Sequence, residues 1–216
     1  MELKGKIINF LGDSITEGAN ADCPENAYHQ VLARKCGLKL ARNYGIGGTR
    51  IAYQKEPSEL EQYDKWFCSR VAEMEDDADI VVVFGGTNDY GHGVAPIGKF
   101  EDRTDDTFYG ALHVLYTSLI EKYPGKPIIV MTPLHRTGEE EVHEKHGVKT
   151  TLKTYVEIIR EVAQYYSLPV CDLFAMSGLQ PNLPVINEMF FTDGLHPNTK
   201  GHEYLADKVA TFLKNL

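Results

Sequence analysis

The side chains in this sequence best suited to attacking a carbonyl lie in short polar stretches far apart in the chain. Gly12-Asp13-Ser14-Ile15-Thr16 follows directly on the apolar run 7–11. A buried-type run ending in glycine and small polar residues predicts a strand, a sharp turn and a helix start. Such a turn sets the Ser14 hydroxyl at the carboxyl edge of a sheet and leaves unpaired N–H groups in front of it. A nucleophile facing a carbonyl needs both. A plain strand-ending turn needs neither, and the motif alone does not separate the two.

Near the other end, Phe191-Thr192-Asp193-Gly194-Leu195-His196-Pro197-Asn198 puts an acid and a histidine three positions apart in a Gly/Pro loop. Asp193 can there hold one imidazole nitrogen of His196 while the other faces a nucleophile, as in a Ser-His-Asp triad; a structural pair is the alternative. Between these ends, Gly85-Gly86-Thr87-Asn88-Asp89 closes the most hydrophobic run, 80–84. The Asn88 amide either caps a turn or donates to a developing oxyanion. Asp89 is expected to satisfy local backbone groups. Asn43-Tyr44-Gly45-Ile46-Gly47-Gly48-Thr49 holds three glycines in four positions, which permits a tight turn or a close backbone approach to a ligand. It does not fit Gly-x-Gly-x-x-Gly, and no Gly-Lys-Ser/Thr follows, so a nucleotide cradle has little support.

A scaffold must bring these stretches together. Apolar, β-rich runs at 7–11, 38–44, 80–84, 127–131 and 168–173 alternate with helical periodicity over about 25–35, 58–74, 106–122, 149–166 and from 198 onward. That alternation predicts an α/β fold: a three-layer α/β/α, flavodoxin-like domain around a parallel sheet of about five strands. Leu60, Trp66, Phe67 and Val71 are expected to be buried on the second helix. Leu112, Leu115 and Leu119 form one stripe, and Leu152, Val156, Ile159 and Val162 another. Three longer polar loops remain, 90–104, 134–148 and 176–193. In open α/β sheets the chemistry sits beyond the carboxyl ends of the strands, where all four polar stretches fall.

The 216 residues suit one domain over 1–216, with no repeat or linker. Shares of 43% hydrophobic and 25% charged residues are ordinary for a globular protein. A net charge of −9 with unclustered Lys and Arg argues against nucleic acid and against an anionic membrane surface. No apolar run approaches the roughly 18 residues of a membrane span. The first residues lead straight into a strand without a secretory leader, so a cytoplasmic location is expected, a processed mature form being the alternative. Cys23, Cys36, Cys68 and Cys171 are scattered and read as free thiols. Glu139-Glu140-Glu141 reads as a solvated loop face.

The four polar stretches, taken in order, resemble the SGNH-hydrolase superfamily of GDSL-like esterases, lipases and acylhydrolases. Gly12–Thr16 is similar to its GDS(L) signature and Asn43–Gly48 to its glycine block. Gly86-Thr87-Asn88-Asp89 is similar to its Gly-x-Asn-Asp block, and Asp193–Pro197 to its Asp-x-x-His block. The resemblance spans nearly the whole chain. It implies Ser14 as nucleophile, His196 as general base and acid, and Asp193 as the group that orients the imidazole. It also implies an oxyanion hole from the N–H groups of Ser14 and Gly48 and the Asn88 amide. Gly48 rather than Gly47 is chosen because it lies five positions past Asn43. Two positions depart from the pattern: Ile15 stands in place of Leu, and Thr49 where the family often has an acid. Neither removes a catalytic group. The chain lacks Gly-x-Ser-x-Gly, which sets it apart from the α/β-hydrolases.

The expected reaction is hydrolysis of a small-molecule ester through an acyl-enzyme, needing no metal or cofactor. Short acyl groups, acetyl first, on a carbohydrate or other small polar alcohol are favoured. A lysophospholipid, thioester or other acyl acceptor is the alternative. Tyr53, Tyr90, Phe100, Tyr109, Phe190 and Phe191 are available to stack on a sugar ring or to fill the core. A rival of another class is a flavodoxin-like module binding nucleotide or phosphate. A second rival is a metal-dependent hydrolase using His135, His143 and His146, although His143-Glu144-Lys145-His146 is one residue short of His-Glu-x-x-His.

Overall fold

A computed structural model describes residues 1–216. All six residues of β1 (Ile7–Gly12) are buried. A strand of that kind needs partners at both edges and cover on both faces. Its edges are taken by β2 (Leu40–Gly45) and β3 (Ile80–Phe84), both parallel to it. β4 (Ile128–Met131) pairs with β3. A separate antiparallel hairpin, β5 (His143–Lys145) with β6 (Val148–Thr150), then precedes the short strand β7 (Val170–Cys171). The parallel sheet has five strands in the order β2-β1-β3-β4-β7.

The helices, in chain order, are α1 (Ser14–Glu17), α2 (Tyr28–Cys36), α3 (Phe67–Arg70), α4 (Thr87–Gly91) and α5 (Phe108–Lys122). After them come α6 (Leu152–Tyr165), α7 (Leu173–Met176), α8 (Pro184–Phe190) and α9 (Thr199–Lys214). Alternate residues of a strand point to opposite faces, and this splits the core in two. Ile8, Phe10, Val82 and Phe84 meet α2 and α9 on one side. Leu11, Val81, Val83 and Val130 meet α5 and α6 on the other. The result is the expected three-layer α/β/α arrangement. The stripes on α5 and α6 are buried as predicted, with Leu112, Leu115, Leu119, Leu152, Val156, Ile159 and Val162 all in the core.

Several elements differ from the sequence reading. The helix expected over 58–74 is replaced by a 3₁₀ turn at Glu61–Asp64, then α3, then a 3₁₀ turn at Val71–Glu73. Asp64 turns back to accept from the Ser58 N–H at 2.9 Å and its hydroxyl at 2.6 Å, and Trp66 Nε1 donates to Asp105 at 2.7 Å. Local side-chain bonds of this kind compete with helix. Phe67 and Val71 are buried, but Leu60 is 49% exposed. The helix expected from 25 starts at Tyr28, because Ala27 is extended at φ −59°, ψ 142° and separates it from a 3₁₀ turn at Pro24–Asn26. The loop 134–148 contains β5, and the loop 176–193 contains α8. Glu139 is not solvated: it is buried and accepts from His135 Nδ1 at 2.8 Å. All four cysteines are free, and no helix is long and apolar enough to cross a membrane.

Candidate active site

The turn after β1 is built by Asp13, which caps α1 by accepting from the Ile15 N–H at 3.1 Å. Ser14 is the first residue of that helix, so its own N–H has no intrahelical partner. The end of β2 lies directly against this turn. A Cβ on Gly45 would fall 2.1 Å from the Glu17 nitrogen, so only glycine allows the two to meet. A Cβ on Gly47 would lie 3.7 Å from Ser14 Cβ, which places the glycine turn alongside the hydroxyl. Gly48 follows at φ +75°, the left-handed region that glycine adopts without strain. Within the chain, no group accepts from the N–H of Gly47 or Gly48.

Asn88 stands on α4, at the end of β3, and is buried. Its Nδ2 donates to Thr49 O at 3.0 Å, which fixes the amide and leaves its second hydrogen uncommitted. Asp89 does the structural work expected of it, accepting from Ile51 N at 2.9 Å and Ala52 N at 3.0 Å. It thereby ties the segment after the glycine turn to α4. Burial raises the Asp89 pKa, and the two N–H groups, Lys145 and Arg50 oppose that rise.

The third component is the loop before α9. Asp193 Oδ1 accepts from Leu195 N at 2.9 Å and His196 N at 2.7 Å, so the carboxylate is oriented by its own loop. Its Oδ2 lies 2.7 Å from His196 Nδ1, and His196 Nε2 lies 2.9 Å from Ser14 Oγ. A carboxylate only accepts, so the imidazole hydrogen is on Nδ1 and Nε2 accepts from the serine. Burial would raise the Asp193 pKa, but the bonds from His196 and Leu195 outweigh it and hold the group below its usual range. Thr137 N donates to Gly194 O at 2.9 Å and braces the loop from the β4 side. Asp13, fully buried beside this centre, is pushed up to about 6 by burial, against the pull of the Ile15 N–H, His196 and Arg70.

Ser14, Asp193, His196, Asn88 and the Gly47-Gly48 turn therefore converge at one end of the sheet. The histidines of the metal-site rival do not: His135 bonds Glu139, His143 bonds Tyr90 O and His146 bonds Val94 O. No group of three or more His, Cys, Asp or Glu side chains is placed to hold a metal ion. Of the aromatic candidates, Tyr90 and Phe191 are buried, whereas Tyr53 is 38% exposed. The sequence reading missed Tyr63, whose ring lies on Gly48, and His92, whose ring centroid is 5.1 Å from that of Tyr63. His92 had little signal, since 90–104 reads as a loop and the residue lies just past the end of the short α4. Tyr63 had none, because its contact depends on how the segment 58–66 turns.

A family described as GDSL-like lipase/acylhydrolase matches residues 10–204. A GDSL lipase of Mycobacterium tuberculosis is 27% identical over 217 residues, covering 95% of this chain and 80% of that protein. The crystal structure of a protein from Lactobacillus plantarum is 30% identical with a TM-score of 0.83, over 98% of each chain. A carbohydrate acetylesterase family member from Sinorhizobium meliloti shares the fold at a TM-score of 0.65 with 17% identity, over 97% of this chain and 98% of that one.

Proposed function

The chain belongs to the GDSL-like lipase/acylhydrolase family and is a serine ester hydrolase, and within that class we propose that it removes short acyl groups, acetyl first, from a carbohydrate or other small polar alcohol. The observation that carries this reading is the unbroken chain Asp193–His196–Ser14, with contacts of 2.7 and 2.9 Å. His196 Nε2 takes the hydroxyl proton as Ser14 Oγ bonds to the ester carbonyl carbon. The carbonyl oxygen becomes an alkoxide, held by the N–H groups of Ser14 and Gly48 and by the free Asn88 hydrogen. Collapse of this intermediate breaks the ester C–O bond, and His196 returns the proton to the departing alcohol. Water then repeats the sequence on the acyl-enzyme and releases the acid. Asp193 holds the imidazole in the tautomer these transfers need.

A polar alcohol is supported by the mostly polar side chains around the cavity whose Tyr63 wall packs on Gly48. The same fold in a carbohydrate acetylesterase family member agrees with it. One sheet with a core on each face supports a single domain over 1–216. Four unpaired thiols support a reducing, cytoplasmic setting. The test is turnover of p-nitrophenyl acetate together with labelling by a fluorophosphonate. Ser14→Ala is expected to lose both while keeping the wild-type melting profile. Wild-type turnover in that variant, or saturable flavin or nucleotide binding with no labelling of the wild type, overturns the reading.

A further inference from the structure

A cavity of about 270 Å³ opens beside the glycine turn, with Arg50, Ser58, Glu59, Tyr63 and His92 among its walls. Two contacts join it to the catalytic centre. The Tyr63 ring lies so close on Gly48 that an added Cβ would fall 1.9 Å from Cε1. The His92 N–H donates to Asn88 O at 3.0 Å, one helical turn along α4. The cavity is thus one side chain, Tyr63, away from Gly48, and its His92 wall lies one helical turn from Asn88. Its walls are pinned together by Gln54, which accepts from Val94 N at 2.6 Å and donates to Ala52 O at 2.8 Å.

The hydrogen-bonding character of this space is set by its buried arginine. Arg50 Nη1 lies 3.1 Å from His92 Nδ1. A guanidinium only donates, so Nδ1 is the acceptor and the imidazole carries its hydrogen on Nε2. Arg50 is itself held by the Ser58 hydroxyl at 2.6 Å and the Asp64 carboxylate at 3.0 Å. Burial, with the charge of Arg50 second, pushes the His92 pKa down to about 4, so the ring is neutral at physiological pH. Glu59 brings an acceptor to the same walls, and Tyr63 a hydroxyl able to do either.

We propose that this cavity is the subsite for the alcohol half of the ester, and that the alcohol is a neutral polyol presenting a pyranose unit. The inference rests on Ser14 being the nucleophile. Sugar hydroxyls call for fixed donors and acceptors beside an aromatic face, which is what His92, Glu59 and Tyr63 supply. The single wall cation, Arg50, is already paired with Asp64, and Glu56 and Glu59 add negative charge. A phosphate headgroup therefore has no counter-charge here. Pro57, Val94 and the Tyr63 ring are the apolar parts of the wall, too few to enclose a long acyl chain.

The experiment compares kcat/KM for an O-acetylated methyl xyloside and for p-nitrophenyl acetate in the wild type, His92→Phe and Tyr63→Phe. Each variant keeps an aromatic ring and loses a hydrogen-bonding group. The ratio of sugar ester to nitrophenyl ester is expected to fall about tenfold in Tyr63→Phe, mainly through KM, the size of one lost hydrogen bond, and by at least as much in His92→Phe, which also removes the acceptor of Arg50. Nitrogen NMR of the wild type should show the His92 proton on Nε2. An unchanged ratio in both variants, a proton on Nδ1, or a higher kcat/KM for acetylcholine or a lysophospholipid than for the xyloside would overturn the proposal. Those outcomes leave the catalytic reading standing as long as Ser14→Ala abolishes nitrophenyl acetate hydrolysis. If it does not, the catalytic reading fails first.

Discussion

Replacing Asn88 with alanine separates a catalytic role from a structural one, because the geometry assigns a different magnitude to each. One hydrogen of the amide is committed to Thr49 O at 3.0 Å. Removing the amide leaves the buried Thr49 O without that donor, which costs about 1–3 kcal/mol of stability and lowers Tm by about 2–4 °C per kcal/mol in a chain of this size. The second hydrogen is the proposed oxyanion donor, and losing one such donor costs about 2.7–4 kcal/mol in the transition state, or 10²–10³ in kcat. The alkoxide does not exist in the ground state, so KM should change by no more than a few-fold. Initial rates with p-nitrophenyl acetate and a thermal melt on the same preparation give both numbers. Asn88→Asp is expected to lose at least as much activity, since it sets a carboxylate against both Thr49 O and the alkoxide. A folded Asn88→Ala enzyme with kcat within tenfold of wild type would reduce Asn88 to a turn residue and refute the three-donor hole.

Asp193→Asn should cut kcat about ten-thousand-fold by disturbing the His196 tautomer, the loss seen for the same change in a serine-protease triad; stopped-flow rates within tenfold of wild type would contradict it. His29 is buried with Nδ1 unpartnered, and burial, then His202, push its pKa down to about 4. The folded value lies below that of a free imidazole, about 6.5, so the stability it confers is complete above pH 6.5 and is lost as pH falls through 4. Urea melts should therefore show roughly 3 kcal/mol more acid sensitivity in wild type than in His29→Leu across that window, and identical pH profiles would refute it. Asp13 has the opposite sign, since its folded value of about 6 lies above that of a free carboxyl, and its contribution is lost as pH rises from about 4 through 6. Asp13→Asn keeps an acceptor for the Ile15 N–H, so its stability relative to wild type should grow from near zero at pH 4 to roughly 3 kcal/mol at pH 8; a difference that shrinks with pH would overturn this account.

The strand ends were legible because their chemistry forces particular residue types. Gly45 must lack a Cβ for β2 to approach the backbone of the Ser14 turn, and Asp193 can hold His196 without help from distant residues. The parallel sheet was legible for a similar reason, since β1 and β3 are buried on both faces, which makes β3 apolar throughout and β1 apolar but for Asn9 and its closing glycine. The segment 58–74 was misread because its helical periodicity is overruled by bonds the pattern cannot show, those of Asp64 to Ser58 and Arg50 and of Trp66 to Asp105. Glu139 was misread for a related reason. In a run of three acids it reads as solvated, but it is buried by His135 and by Gln180, which donates to it at 3.1 Å.

What local reading cannot supply is the meeting of Ser14 with His196, and the structure achieves it through the helices rather than the loops. α2 and α9 pack on the same face of the sheet, and His202 joins the segments leading away from the two residues. The Tyr28 N–H donates to His202 Nδ1 at 3.2 Å, which leaves the hydrogen on Nε2 to donate to Ala19 O at 3.0 Å. Thr199, at the start of α9, also donates to Asp22. Asn198 caps that helix by accepting from Gly201 N at 3.0 Å and so fixes where the His196 loop ends. The segment after Ser14 and the helix after His196 are therefore tied at several points close to the site. The 2.9 Å contact between hydroxyl and imidazole follows from that tie, with the Asp193 loop setting only the orientation of the ring.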